Sequence, residues 1–305
     1  MRWPTSKLAT LLLSAVPTAA LAFQPISGPV TTRSTAPANV VLLLDNSSSM
    51  VLNSTGGRTR LAIMQEAASQ LLHQHRDLRF GLFTFNPAAG KGAQRDTAGG
   101  RLLVPVDGIA EDAAGLQHLQ RLEQAIANLN PAAGNDPDLY TWTPLAETHY
   151  EISRYLRGMS SFYDPALPRY QSPLQWRCQA SAAVVLTDGL PTHDSVFPAS
   201  SQQEPAGQNP HLPGNWHLPD WDGDSSNDTT GASLQDPGST FYLDDMAAFA
   251  RALDLRQGGL DAAGQSWDDP AYPAQNLRTY TLGFAIDDPR LRAAAQAGGG
   301  RYLSV

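Results

Sequence analysis

An unbroken apolar run from Val40 to Leu44 is the feature that most constrains how this chain folds. A strand with one solvent-facing side would alternate apolar and polar residues, and this run does not. It therefore predicts a strand that is buried on both faces of a parallel sheet. The run ends directly in Asp45, so a carboxylate follows the carboxyl end of this strand.

Strand and helix patterns alternate along the rest of the sequence. Apolar segments predict further strands at residues 79–85, 101–106, 182–186, 277–284 and 302–305. Apolar residues at helical spacing predict helices at residues 60–75, 116–129, 145–156, 243–255 and 289–297. This alternation predicts an α/β fold with a doubly wound, mostly parallel central sheet flanked by helices.

Residues 191–240 interrupt this alternation. They are rich in Pro, Gly, Asp and Ser and show almost no periodicity. A loop of that length within a compact domain is either functional or an insertion. We expect a long irregular insertion at residues 190–240, within an α/β domain that covers residues 39–305.

The N-terminus has the pattern of an export signal. Arg2 and Lys7 precede a mostly apolar run from Leu8 to Leu21, and Ala20-Leu21-Ala22 is a small-residue cleavage pattern. We expect a signal peptide at residues 1–22 and a linker at residues 23–38. A retained membrane anchor is the alternative, but the run is shorter than the ~20 residues that span a bilayer comfortably. We therefore expect an exported protein with no membrane span after cleavage.

Composition limits the partners and the covalent framework. The formal net charge is −8, whereas nucleic acid phosphates require a basic surface, so we expect no nucleic acid partner. Cys178 is the single cysteine, which excludes an internal disulfide. Because the apolar segment 180–186 follows closely, we expect Cys178 to be buried as a small apolar residue. A disulfide with another chain is the alternative.

Polar residues follow two of the predicted strands and precede one predicted helix. Asp45-x-Ser47-x-Ser49 follows the first strand, Asp188 follows strand 182–186, and Thr143 precedes helix 145–156. Ligands of open parallel sheets bind beyond the carboxyl ends of the strands. Carboxylate and hydroxyl oxygens suit Mg²⁺, and few direct carboxylates would leave the ion able to take one from a partner. We expect Asp188 and Asp45 to ligate directly or through water.

These positions resemble the metal-ion-dependent adhesion site (MIDAS) of von Willebrand factor A (vWA) domains. The resemblance assigns the metal to Asp45, Ser47, Ser49, Thr143 and Asp188, in the family's order and context. The ion implied is Mg²⁺, with Mn²⁺ or Ca²⁺ as alternatives. A purely structural interpretation has Asp45 and the serines capping the next helix. That helix is predicted to start near Arg60, well downstream, which weakens the capping interpretation. Thr143 and Pro144 also suit the N-cap and first position of their own helix.

A narrower resemblance is to the PilY1/PilC family of type IV pilus tip-associated proteins. It rests on four segments: Thr143-Pro144-Leu145-Ala146-Glu147-Thr148-x-Tyr150-Glu151, Val184-Val185-Leu186-Thr187-Asp188-Gly189-x-Pro191-Thr192, Tyr242-Leu243-Asp244-Asp245-Met246-Ala247 and Arg278-Thr279-Tyr280-Thr281-Leu282-Gly283-Phe284. Residues 39–305 resemble that family's N-terminal vWA part, and the family usually continues into a β-propeller. The resemblance implies a bacterial protein of the periplasm, cell surface or pilus tip. Its partner would be a protein carboxylate on a host surface, matrix or pilus component.

Weaker signals lie in the irregular region. The acidic residues Asp220, Asp222, Asp224 and Asp228 are spaced so that they could wrap a Ca²⁺ ion, although the pattern is not an EF-hand. A solvated acidic loop is the alternative. His149 and His193 lack zinc-ligand spacing. Trp142, beside the expected metal, is either a contact residue or core.

Three functions follow from these expectations. The leading one is adhesion through the metal, without enzymatic activity. A structural part of pilus assembly or mechanosensing with a stabilising metal is the second. A metal-assisted hydrolase is the third and the least favoured, because Asp188 would be the one general base near the metal.

Overall fold

A computed structural model describes residues 36–52, 54–87, 98–130, 142–198, 218–221 and 242–304, all within one compact unit that spans Thr35–Val305. Within these ranges the strands are β1 (Asn39–Leu44), β2 (Ser54–Thr55), β3 (Arg58–Thr59), β4 (Arg79–Phe85), β5 (Gly100–Gly108), β6 (Ser181–Thr187), β7 (Leu277–Gly283) and β8 (Gly299–Ser304). The helices are α1 (Ser49–Leu52), α2 (Arg60–Gln74), α3 (Ala113–Ala127), α4 (Leu145–Leu156), α5 (Leu243–Ala252) and α6 (Pro289–Ala297).

Six of these strands form one sheet in the order β5-β4-β1-β6-β7-β8. Every neighbouring pair is parallel except β4 and β5, which are antiparallel. Strand β1 lies at the middle of the sheet, where Leu42 is level with Leu82 of β4 and Val184 of β6. All six residues of β1 are buried, as the unbroken apolar run predicts.

Helices cover both faces of the sheet and divide the core in two. On one face, Met64 of α2 and Leu122 of α3 pack with Leu42 in one buried cluster. On the other face, Tyr150 of α4 and Phe249 of α5 pack with buried residues of β1, β4 and β6. Since successive residues of a strand point to opposite faces, one strand supplies both clusters. The predicted doubly wound, mostly parallel α/β fold is therefore confirmed.

The sequence placed most elements correctly but missed some of their ends. The last strand begins at Gly299 rather than at residue 302, and α5 ends at Ala252 rather than at residue 255. Gly299-Gly300-Arg301 has no apolar pattern that would predict the start of β8. Leu253 is buried and apolar, but its extended backbone ends α5. No helix among the described residues is long and apolar enough to cross a membrane.

Two expectations fall largely on residues outside the described ranges. The signal peptide at residues 1–22 lies wholly outside them, and the linker at residues 23–38 does so except for residues 36–38. Of the insertion at residues 190–240, the structure describes residues 190–198 and 218–221, which contain no helix or strand.

The expected burial of Cys178 is wrong, because this residue is exposed. The chain turns just before β6, where the N–H of Gln179 donates to the carbonyl of Trp176 at 2.9 Å. The turn directs Cys178 towards solvent and leaves burial to Gln179. Proximity to an apolar strand therefore did not decide the environment of the cysteine.

Removing the side chain of Leu42 should destabilise the protein strongly. Leu42 is fully buried at the centre of the sheet, and Leu→Ala changes in such positions cost about 2–5 kcal/mol through lost burial and the cavity left behind. We expect Leu42→Ala to lower the free energy of unfolding in urea by this amount. The matched control is Leu116→Ala, at a position that is 51% exposed. An equal loss in both variants would contradict the assigned packing.

Candidate metal centre

The loop after β1 folds back on its own acidic residue. The backbone N–H of Asp45 donates to the carbonyl of Leu186 at 3.0 Å, which continues the pairing of β1 with β6. The N–H of Ser47 then donates to Asp45 Oδ1 at 2.7 Å. Asp45 and Ser47 are both buried. The loop is thus fixed to the sheet at the point where a ligand of a parallel sheet binds.

The expectation that no helix begins before Arg60 is wrong, because α1 begins at Ser49. The N–H of Met50 donates to the carbonyl of Ser47, and the N–H of Val51 to that of Ser48, both at 3.2 Å. These bonds close a single helical turn. Four residues are too few to produce a periodic apolar pattern, so the sequence did not reveal it.

Two neighbouring side chains hold the loop in place. Asn46 accepts a hydrogen bond from the N–H of Phe85 at 3.1 Å, which ties the loop to β4. Thr187 donates its hydroxyl proton to Asp45 Oδ2 at 2.6 Å, which ties it to β6. Both carboxylate oxygens of Asp45 are therefore hydrogen-bonded. The sequence analysis assigned neither role.

Asp188 completes a connected group of side chains with this loop. The hydroxyl oxygens of Ser47 and Ser49 lie 2.9 Å apart, and the Ser49 hydroxyl donates to Asp188 Oδ1 at 2.6 Å. Asp188 follows β6, the strand beside β1, so the two acids meet at one edge of the sheet. Four of the five predicted site residues, 45, 47, 49 and 188, are therefore brought together.

Thr143 reaches this group indirectly. Its N–H donates to the Thr192 hydroxyl at 2.9 Å, and the N–H of Thr192 donates to the Thr143 carbonyl at 3.1 Å. Thr192 follows Asp188 in the same loop, so this pair of bonds joins the predicted Thr143 ligand to that loop. Among the described residues, no hydrogen bond joins the Thr143 hydroxyl to the other four.

Arg60 is the site residue that the sequence analysis missed. It is the first residue of α2, and its Nη1 donates to Asp188 Oδ2 at 2.8 Å. The side chain of Asp188 is fully buried, and that of Arg60 is 20% exposed. No motif signals this ion pair, because its partners lie 128 residues apart. The structure thus places one positively charged side chain, that of Arg60, against Asp188.

The burial of two acids side by side controls the electrostatics. The pKa of Asp45 is raised to about 6, because burial and the charge of Asp188 raise it by more than the hydrogen bonds from Ser47 and Thr187 lower it. Buried charge is costly unless it is neutralised. The guanidinium of Arg60 pairs with Asp188 alone, so a negative charge is left over when both carboxylates are ionised.

The residues present fit a divalent cation. Its positive charge would offset the excess negative charge of Asp45 and Asp188, and Ser47 and Ser49 would add neutral oxygens. Among the described residues, no three His, Cys, Asp or Glu side chains form a metal-binding group. The ion would therefore depend on hydroxyls and water for its remaining ligands, as the sequence analysis expects.

The N-terminus of α4 is capped from the loop that follows β6. The predicted cap, Thr143, is one residue too early, because Pro144 occupies the cap position without a side-chain hydrogen bond. Instead, Asp194 accepts hydrogen bonds from the N–H groups of Ala146 and Glu147, both at 2.8 Å. A carboxylate beside these free N–H groups suits the positive end of the helix dipole.

A second buried acid stands beside this cap. Glu147 is fully buried and accepts hydrogen bonds from the N–H of Val196, at 2.7 Å, and of Gly99. Burial raises the pKa of Glu147, and the charge of Asp194 raises it further. Burial also raises the pKa of Asp194 to about 7, against the lowering effect of the helix N–H groups. These hydrogen bonds hold residues 194–196 against the N-terminus of α4.

The weaker signals have separate outcomes. Trp142 stacks on His193 at a ring-centroid distance of 4.1 Å, so it is partly covered by the loop after β6. His149 is buried, and its Nε2 lies 2.8 Å from the Thr279 hydroxyl. Of the possible calcium site, Asp220 is described, whereas Asp222, Asp224 and Asp228 lie outside the described residues. The second cation site stays a prediction.

Comparison with known proteins found matches among solved structures only. No protein-family model matches the sequence, and no curated protein matches it. The solved structure of the conserved hypothetical protein BatB from Bacteroides thetaiotaomicron is 12% identical with a TM-score of 0.41, covering 88% of this chain and 90% of that one. The pilus adhesin SpaC from Lactobacillus rhamnosus GG, in its open conformation, is 15% identical with a TM-score of 0.45, covering 90% of this chain and 28% of that one.

The pilus adhesin RrgA from Streptococcus pneumoniae is 14% identical with a TM-score of 0.39, covering 90% of this chain and 43% of that one. At such identities and TM-scores these matches decide nothing about the family or the function of this chain. The resemblance to vWA domains and to the PilY1/PilC family therefore rests on the motifs of the sequence.

The acidic cap of α4 predicts a pH dependence of stability. The folded protein keeps the Asp194 proton up to about pH 7, whereas an ordinary Asp releases it near 3.8. Folding therefore binds a proton between these values, and the contribution of Asp194 to stability falls as pH rises through this interval. We expect Asp194→Asn to reduce the loss of unfolding free energy between pH 5 and 8 by about 1–3 kcal/mol, measured by urea denaturation.

The matched control for this experiment is Asp77→Asn, which removes an exposed carboxylate from the turn after α2. It should leave the pH dependence of the wild type unchanged. A pH dependence of Asp194→Asn that equals the wild type would contradict the assigned proton.

Proposed function

We propose that this chain is an exported, metal-dependent ligand-binding domain of the vWA type, belonging to a type IV pilus tip-associated protein of a bacterium. The metal would be Mg²⁺, or Mn²⁺ or Ca²⁺, held by the side chains of Asp45, Ser47, Ser49, Thr143 and Asp188. When bound, the cation would offer a coordination position to a carboxylate of a protein partner on a host surface, in a matrix or in the pilus. The role is adhesion rather than catalysis.

The excess negative charge is the single observation that carries this proposal. Asp45 and Asp188 are buried together, and Arg60 neutralises one charge of the two. A fold that needed these acids for packing alone would gain stability from neutral side chains in their place. Retention of both acids, with two hydroxyls beside them, is the arrangement that a divalent ion requires.

The rigidity of the surroundings supports binding of a partner at this position. The Asp45 loop is tied to β4 through Asn46 and to β6 through Thr187, and the Thr143 loop is tied to the Asp188 loop through Thr192. Residues that are fixed before binding lose little conformational entropy when a ligand arrives. The pilus context comes from the sequence resemblance, which these contacts do not address.

Removal of Asp45 should abolish metal binding. The Asp45→Ala variant loses a carboxylate and the acceptor that orients Ser47, so we expect its affinity for Mg²⁺ and Mn²⁺ to fall by at least about ten-fold. Isothermal titration calorimetry measures this directly. In addition, Mg²⁺ should raise the melting temperature of the wild type and not that of the variant, because a ligand that binds the folded state stabilises it.

The control variant is Asp77→Ala, which removes an exposed acid outside the site and should bind metal as the wild type does. Far-UV circular dichroism of metal-free Asp45→Ala checks that the variant folds. Unchanged Mg²⁺ and Mn²⁺ affinities in folded Asp45→Ala would refute the metal assignment.

A stabilising metal in a structural part of pilus assembly or mechanosensing is the second candidate. The observation that favours it is the burial of Asp45 beside Asp188, because a cation would offset the cost of burying both charges. In that case Asp45→Ala would leave pilus assembly intact while abolishing the metal-dependent rise in melting temperature. Loss of adhesion in that variant would favour the first candidate.

A further inference from the structure

Arg60 places a permanent positive charge directly against the candidate metal site. It begins α2, where the hydroxyl of Thr59 caps the helix by accepting from the N–H of Ala62 at 3.2 Å. The cap fixes the backbone from which Arg60 reaches Asp188 Oδ2 at 2.8 Å. The position of the guanidinium is therefore set by the helix and not by a flexible loop.

This ion pair occupies one of the two oxygens of Asp188, and the Ser49 hydroxyl occupies the other. The ion pair with Arg60 thus offsets the charge of this proposed metal ligand. A divalent cation beside it has to displace the guanidinium or tolerate its repulsion. Either effect makes metal binding weaker than it would be at the same two carboxylates without the positive charge of Arg60.

Charge counting then identifies the class of ligand. With Asp45 and Asp188 ionised and Arg60 protonated, the metal-free site carries one negative charge. With a divalent cation it carries one positive charge, and one carboxylate from a partner brings it to neutrality. The Nε–H of Arg60 is buried and has no hydrogen-bond partner among the described residues.

We propose that Arg60 is a built-in counter-ion that competes with the metal and couples metal binding to the capture of a single carboxylate. This inference rests on the proposed function, because it assigns a role toward the same cation. In the absence of metal, Arg60 neutralises Asp188. When the metal is bound, the excess positive charge favours an anionic ligand. The metal and the carboxylate therefore each strengthen the binding of the other.

The sign of the effect separates this role from a structural one. If Arg60 merely positioned Asp188, its removal would weaken metal binding. If it competes with the metal, its removal strengthens metal binding. We expect Arg60→Met, which keeps the apolar stem of the side chain, to bind Mg²⁺ about ten-fold more tightly than the wild type by isothermal titration calorimetry.

Two further variants isolate the charge at residue 60. Arg60→Lys keeps the positive charge and should bind Mg²⁺ within about three-fold of the wild type, because Coulomb repulsion depends on charge rather than on guanidinium shape. Arg58→Met is the matched control, since Arg58 is exposed and pairs with Glu66 at 2.8 Å on the surface. It should leave metal affinity unchanged. Arg60→Gln replaces Arg60→Met if the latter does not fold.

The carboxylate coupling is measured with acetate as the probe. Sodium acetate in place of sodium chloride, at constant ionic strength, should strengthen Mg²⁺ binding in the wild type more than in Arg60→Met. An equal effect of acetate in both proteins would overturn the coupling. Weaker or unchanged Mg²⁺ binding in Arg60→Met, with binding retained in the wild type, would overturn the competition.

These results are distinct from failure of the proposed function. If neither the wild type nor Arg60→Met binds Mg²⁺ or Mn²⁺, the metal assignment fails, and the role of Arg60 fails with it. If Arg60→Met alone binds metal, the competition is supported, but the metal-dependent function proposed for the wild type and its coupling to a carboxylate both fail.

Discussion

Buried negative charge at the ends of two neighbouring strands is the constraint on which the surrounding structure depends. Because β1 and β6 are parallel and in register, the acids that follow them emerge side by side at one edge of the sheet. Burial makes their repulsion expensive. Hydrogen bonds from Thr187 and Ser49 and the ion pair with Arg60 offset part of this cost. The remaining charge is what makes the site suited to a cation.

The protein contains two buried pairs of acids that reach neutrality differently. Asp194 and Glu147 accept hydrogen bonds from backbone N–H groups, and their raised pKa values favour keeping a proton. Asp45 and Asp188 accept mainly from side chains, namely those of Thr187, Ser49 and Arg60, and Asp45 also accepts from the N–H of Ser47. The first pair fastens a loop to α4, whereas the second pair lies beside hydroxyl groups at the carboxyl ends of β1 and β6. Proximity of two carboxylates is therefore not sufficient to define a metal site, and the groups around them decide.

Local pattern was a reliable guide wherever burial imposed a strict period. The five apolar residues of β1 predicted a central strand, and the spacing of Leu61, Met64, Ala68 and Leu72 predicted α2, because each pattern has to match the face that packs. Pattern failed where a single hydrogen-bonded turn decided the outcome. Helix α1 has four residues, and the exposure of Cys178 follows from one turn before β6.

The sequence by itself determined the α/β class and the polar residues at the carboxyl ends of two strands, since buried apolar runs mark the strands and Asp45 and Asp188 directly follow two of them. Only the tertiary structure decided what surrounds these acids. Arg60 pairs with Asp188, which lies 128 residues later in the chain. Asp194 accepts hydrogen bonds from the N–H groups of Glu147 and Ala146 in the first turn of α4, which lie 47 and 48 residues before it. Such contacts depend on how helices and loops pack against the finished sheet, and no local spacing records that.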